Sequence, residues 1–256
     1  MSGDYFAPGW TDYRKRIQYQ IYDVNRLLRT GRNAITVDPV RAGTRAAWAR
    51  SVRINTAQFP YLRTQLELTF TDEKSSATVS TDRDWKSTLG PVLQSDLIMG
   101  TQYDARLATP GWTQPGYDDR NWKPVMPGPK TTAPLVAQVE PPVRAVQELK
   151  PVKVSRIKPD TYLYDMGQNR CRAASVRAKA GQVILRHGEV LNADGTLRSI
   201  PTICEPRKRR ISITASGQGA ETFEPMFTFH GFRYVEVSGA ATELEIVGRV
   251  LTTDMP

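Results

Sequence analysis

LRTQLELTF, Leu62–Phe70, decides the fold class. Leu62, Leu66, Leu68 and Phe70 share one parity, while Arg63, Gln65, Glu67 and Thr69 share the other. Successive strand side chains point to opposite faces, so this is the pattern of an antiparallel strand with one face on a core and one in water. Similar short runs recur at Ile17–Val24, Asn33–Val37, Ala77–Thr81, Tyr162–Asp165, Gln182–Arg186, Arg210–Thr214 and Glu243–Leu251. Turn residues separate most of them, among them Thr71-Asp72, Pro115-Gly116, Asp194-Gly195 and Ser216-Gly217. Helical periodicity is confined to one turn around Asn25–Leu28, stopped by Gly31. Many short strands with almost no helix predict an all-β protein built from sandwiches, not a βαβ fold.

A chain of 256 residues has room for one large or two medium domains. The proline-dense stretch Pro124–Pro151 cannot run as a continuous central strand or helix, which places the expected division there, into 1–134 and 135–256. In the second part, FTFHGFRYVEV (Phe227–Val237) puts Phe227, Phe229, Val235 and Val237 on the expected core face, interrupted by Arg233. Gly231 offers a kink before that arginine. His230 then falls on the less apolar face, and without a placed partner it reads as a hydrogen-bonded scaffold residue.

Composition excludes several function classes. A net charge of +9 and a pI near 9.7 would suit a polyanion, yet only Arg207-Lys208-Arg209-Arg210 forms a compact basic run. No helix-turn-helix, zinc-finger or aromatic RNA-binding signature accompanies it, so no nucleic-acid partner is expected and the run reads as a solvated strand or loop. Cys171 and Cys204 stand in no CxxC and have two histidines for company, which excludes a structural zinc site. The low count favours free thiols in a reducing compartment, with a disulfide between them the open alternative. The first residues lack a basic and then apolar segment and no stretch reaches a membrane span, so neither export nor a membrane partner is indicated and a cytoplasmic location is favoured. GxSxG, phosphate-loop, dinucleotide and DxDxDG calcium patterns are all absent from the sequence; no cofactor or metal is expected.

What remains is carbohydrate chemistry. The turns APGWTD (7–12) and TPGWTQPG (109–116) each present a tryptophan: Trp10 beside Asp12, and Trp112 ahead of Asp118 and Asp119. An aromatic face matches the apolar face of a sugar ring while carboxylates take its hydroxyls, so Trp10, Asp12 and Trp112 are the candidate sugar-binding residues; the competing reading is two tryptophans capping the end of a sandwich core. Glycosidic hydrolysis needs two carboxyl groups held across a sugar, and Asp165 and Glu189 are available, but the sequence does not pair them.

Seven stretches in order resemble the bacterial α-L-rhamnosidases: PGWTDYRKRIQYQIYDV (8–24), SDLIMGTQYDARL (95–107), PGYDDRNWKPV (115–125), PPVRAVQELKPV (141–152), YLYDMGQN (162–169), LRHGEVLNADGTL (185–197) and FTFHGFRYVEVSG (227–239). The resemblance implies two tandem β-sandwiches, a jelly-roll module over 1–134 and a concanavalin-like one over 135–256. In that family these precede the catalytic α/α barrel, which hydrolyses terminal α-L-rhamnose by an inverting acid/base mechanism. The expectation is therefore a non-catalytic amino-terminal portion, inactive alone, that meets rhamnose-containing glycans in the full-length enzyme; no catalytic residue and no calcium ligand carries over. The alternative is a stand-alone carbohydrate-binding or interaction module. The sequence departs from the family at Asp38–Pro60, at Arg198–Arg209, and at Ile98 and Thr101, where an aromatic and a glutamate are common.

Overall fold

The computed structural model describes residues 4–9, 11–38, 61–71, 75–128, 130–169, 173–198 and 210–253. Trp10, Cys171, Cys204 and most of the two departing blocks lie outside them. The described chain is all-β, with one turn of 3-10 helix at Ala105–Leu107. Its strands are β1 (Ile17–Tyr19), β2 (Gln65–Thr69), β3 (Ser76–Ser80), β4 (Lys86–Ser87), β5 (Val92–Asp96), β6 (Gly100–Asp104), β7 (Lys123–Pro124), β8 (Leu135–Ala137) and β9 (Val143–Leu149). They continue as β10 (Lys153–Lys158), β11 (Thr161–Asp165), β12 (Ala173–Ala178), β13 (Gln182–Gly188), β14 (Ile211–Thr214), β15 (Glu221–Phe223), β16 (Tyr234–Ser238) and β17 (Glu245–Thr253).

Two sheets make the principal sandwich. One runs β10-β11-β16-β13-β14-β6-β5, the other β15-β12-β17-β9. Tyr164, Val183, Leu185, Ile211, Ile213, Val235 and Val237 from the first meet Ala174, Val176 and Ile246 from the second in one buried cluster. Removing that apolar surface from water is the main stabilising term. Strand β9 emerges from the proline-dense stretch as an edge strand against β17, a place that tolerates the flanking Pro142 and Pro151 because, among the described residues, its outer side meets only the single Tyr5–Val143 bridge.

The stretch LRTQLELTF does form a strand with the alternation its sequence carries, as β2 against β3, with Leu66 opposite Val79 and Leu68 opposite Ala77. Its burial is shallow: Leu66 and Leu68 are half-buried, while Leu62 and Phe70 are exposed. Asn33–Val37 forms no strand, and Ile17–Val24 shortens to three residues that pair in parallel with β8. The turn expected at Asn25–Leu28 is present, closed by the Leu27 and Leu28 amides donating to the Val24 carbonyl.

Phe227–Val237 departs from its expected face. Val235 and Val237 are fully buried as read, but upstream the buried set is Thr228, His230 and Phe232, and Phe229 is 40% exposed. The inward parity changes between Phe232 and Val235, where Arg233 turns outward to place two guanidinium nitrogens 2.8 and 2.9 Å from the Asp165 carboxylate. An arginine in a core strand would carry a large desolvation cost, and the parity change avoids it.

Hydrogen bonding also crosses the division at 134/135. Strand β6 lies parallel to β14, with Gln102 opposite Ser212 and Asp104 opposite Thr214, so β6 and the edge strand β5 extend the second sandwich's sheet. Farther upstream Tyr5 bridges Val143 of β9. We propose the 134/135 division as a boundary in sequence that one sheet crosses. A trypsin-resistant carboxy-terminal core is accordingly expected to retain residues 92–104, in one chain or as a co-purifying peptide, when analysed by native mass spectrometry. A stable core beginning after residue 130 without that peptide would show the β6–β14 pairing to be dispensable.

Candidate functional site

Of the residues expected to touch sugar, Asp12 and Trp112 are described. Asp12 is exposed at a turn and takes bonds from the Arg14 backbone N–H at 3.1 Å and from its guanidinium at 2.9 and 3.0 Å. Those bonds hold the Asp12 carboxyl below its ordinary range. Trp112 is half-buried in an aromatic cluster, its ring 6.2 Å from Trp122, which lies 5.8 Å from Tyr117. The neighbouring carboxylates are engaged: Asp118 accepts from Arg120 at 2.7 Å and Asp119 from Lys86 at 2.7 Å. The structure thus brings Trp112 together with Trp122 and Tyr117, and gives Asp12 to Arg14.

Of the two carboxylates considered for hydrolysis, Asp165 ends β11 and Glu189 follows the end of β13, two strands that flank β16, since Asp165 and Gly188 both register with Tyr234. Asp165 is committed to Arg233, whose hydrogen bonds hold the carboxyl below its ordinary range, and it also accepts from the Gly167 amide at 2.8 Å. The Arg233 guanidinium lies over the Tyr234 ring, 5.0 Å from its centroid. Such a group anchors a strand end and is not positioned as an acid or base.

The histidines, 43 positions apart, meet: His187 on β13 and His230 stack with ring centroids 4.9 Å apart, and His187 also packs on Phe232 at 4.6 Å. His230 is 3% exposed. Among the described residues no group of three or more His, Cys, Asp or Glu could hold a metal ion.

Two cavities were not foreseen from the sequence. One, of about 240 Å³, opens between the sheets beside Tyr103, Ile213 and Phe223. The other, of about 260 Å³, lies between the first residues, Gln18 of β1, the segment after β8 and the end of β17. Its signal was faint: Gln18 and Gln138 stand next to strand positions where a solvent-facing glutamine is unremarkable, and only the parallel β1–β8 pairing brings them together.

The α-L-rhamnosidase N-terminal domain family matches residues 1–147, and the bacterial α-L-rhamnosidase concanavalin-like domain family matches residues 155–252. The chain belongs to the bacterial α-L-rhamnosidase family. An α-L-rhamnosidase of Streptomyces avermitilis is 41% identical over 269 residues, covering 99% of this chain and 25% of the relative. The crystal structure of the Streptomyces avermitilis enzyme complexed with L-rhamnose superposes with a TM-score of 0.82 at 37% identity, over all of this chain and 25% of that one. The α-L-rhamnosidase from Dictyoglumus thermophilum gives a TM-score of 0.83 at 29% identity, over 99% of this chain and 28% of that one. The chain therefore spans about a quarter of the length of the relatives it matches.

Within this rhamnosidase frame, Thr101, where the resemblance led to the expectation of a glutamate, has a clear structural place. Thr101 is buried on β6, its hydroxyl 3.0 Å from that of Ser95 and bonded to that of Thr228, which in turn donates to the Asp96 carbonyl. A glutamate would bring an ionic charge into this closed chain of hydroxyls, whereas threonine satisfies it with neutral groups.

Proposed function

We propose that this chain is the non-catalytic amino-terminal portion of an α-L-rhamnosidase, the complete polypeptide hydrolysing terminal α-L-rhamnose from glycans by inverting acid/base catalysis. The observation that carries the reading is the order and extent of the match: two rhamnosidase domain families, side by side, account for most of the chain. The role that follows is structural and ligand-presenting. The seven-stranded sheet, extended by β6 and its edge strand β5, supplies the platform, and the turns supply aromatic and polar groups for glycan contact. Trp10, Asp12 and Trp112 are proposed as sugar contacts on residue chemistry.

Purified chain incubated with an aryl α-L-rhamnoside is expected to release no aglycone above a buffer control. Turnover that persists through repurification would overturn the non-catalytic assignment. The encoding gene supplies the second arm: a reading frame running past Pro256 into helical repeats supports the proposal, and a stop codon there favours a stand-alone module.

A further inference from the structure

The cavity of about 240 Å³ between the sheets combines two aromatic walls with a carboxylate. Tyr103 on β6 and Phe223 on β15 come from opposite sheets, and their rings meet with centroids 4.6 Å apart at 45°. Tyr103 registers with Ile213 and Phe223 with Val176, so both stand on the sandwich's inner faces and pack against the buried cluster, yet both are only half-buried. The floor is small or aliphatic, with Ala178, Ile213 and Ala215 buried beneath the rings. Alanine at two of these three positions keeps the sheets from filling the space, and the half-buried rings leave it open to a solute.

The wall between the rings carries a negative charge that nothing offsets. Glu221, half-buried, accepts from the Ser216 amide at 3.0 Å and from the Ser216 hydroxyl. Those bonds hold its carboxyl below the ordinary range, so it is ionised at neutral pH; both donors are neutral, and the charge stays whole. Burial, then the charges of Glu221 and Asp38, push the Tyr103 hydroxyl above its ordinary range, which places a second carboxylate close by. Among the described residues no guanidinium or ammonium acts on Glu221, Asp38 or Tyr103. Arg106 and Arg177, which flank the lining in sequence, are committed elsewhere, to Asp104 at 2.6 Å and to Glu245 at 3.6 Å. In a chain of net charge +9, this is a local excess of acid facing aromatic rings. A cation answers it: the electron-rich face of a phenol or phenyl ring attracts positive charge, and an alkylated ammonium also brings C–H surface for an apolar floor. A hard metal ion would need more oxygen ligands than this wall offers.

We infer that the cavity formed by Tyr103, Phe223 and Glu221 between β6 and β15 binds a small alkylated ammonium ion, its charge held against the two rings and opposite the Glu221 carboxylate. The inference draws on this cavity alone and stands apart from the glycan reading of the chain.

The test is saturation-transfer NMR and calorimetry on the whole chain with two probes: choline, and its neutral tert-butyl isostere, in which carbon replaces the ammonium nitrogen. The two have nearly the same shape, so the comparison isolates the charge and needs no variant. Choline is expected to bind in the millimolar range and the isostere roughly tenfold more weakly or not at all. Glu221→Gln keeps an acceptor for the Ser216 amide and is expected to keep the parent's thermal midpoint while weakening choline by roughly tenfold; Phe223→Leu, which removes one ring, should weaken it as well. Absence of saturation transfer from choline, equal binding of the isostere, or choline binding unchanged by both substitutions overturns the site. None of these outcomes touches the rhamnosidase assignment, which is decided by the gene and the aryl rhamnoside assay.

Discussion

Replacing Phe232 with alanine is expected to destabilise the protein by about 3–5 kcal/mol, the range for truncating a fully buried phenylalanine. Phe232 is 0% exposed, belongs to the central apolar cluster, and packs at 4.6 Å on His187, itself stacked on His230. Truncation removes its contacts and leaves a cavity that the sheet backbone on either side cannot close. Against a total stability of about 5–15 kcal/mol, that is a large share, and the thermal midpoint should fall by roughly 10 °C. Phe229→Ala is the informative control. That ring is 40% exposed and meets Phe6 edge-on at 6.0 Å, so its loss should cost no more than about 1.5 kcal/mol. The order of the two variants is the measurement. Equal costs, or a larger cost at Phe229, would restore the face expected from the alternation of Phe227, Phe229, Val235 and Val237 and refute the parity change at Arg233.

That parity change shows where sequence reading stops. Alternation is a local property, and it identified β2, β3, β11, β13, β14, β16 and β17 because their apolar positions recur at period two. It named none of β4 to β9, nor β15, and among the sandwich strands it also missed β10, whose Lys153, Arg156 and Lys158 hide the pattern, and β12, whose AASVRA run contains mostly small or polar residues. It also assigned Phe227–Phe232 to the wrong face. Nothing local announces that Arg233 will find Asp165, 68 positions away, and swing the chain so that Phe232 and Val235 both point inward. The resemblance to rhamnosidases was legible because ordered motifs accumulate along the whole chain, and family matches to both halves bear it out. Site chemistry was less legible. Trp112 could be named from its turn but not its packing on Trp122, and the Gln18–Gln138–Glu140 grouping depends on a parallel pairing between strands more than a hundred residues apart.

Gly100→Ala is expected to cost more than about 3 kcal/mol and to do so at one place, the junction of β6 with β14. Gly100 has φ +115°, a conformation that residues with a Cβ rarely adopt, and a Cβ placed there would lie 1.9 Å from the Arg210 carbonyl oxygen. The carbonyl cannot rotate away cheaply, because Arg210 leads directly into β14 and its N–H donates to the Met99 carbonyl at 3.1 Å. Relief must come from separating the two strands. Amide hydrogen exchange should then accelerate across 92–104 and 211–214, and trypsin should release the 92–104 peptide that the parent retains. Gly116→Ala separates the two causes: Gly116 has φ +86° but a Cβ there would meet nothing within 4 Å, so that change carries only the backbone term, about 1–2 kcal/mol, without opening any sheet. Equal losses in the two variants, or unchanged exchange at 211–214 in Gly100→Ala, would mean that the amino-terminal strands are not seated on the second sandwich through this contact.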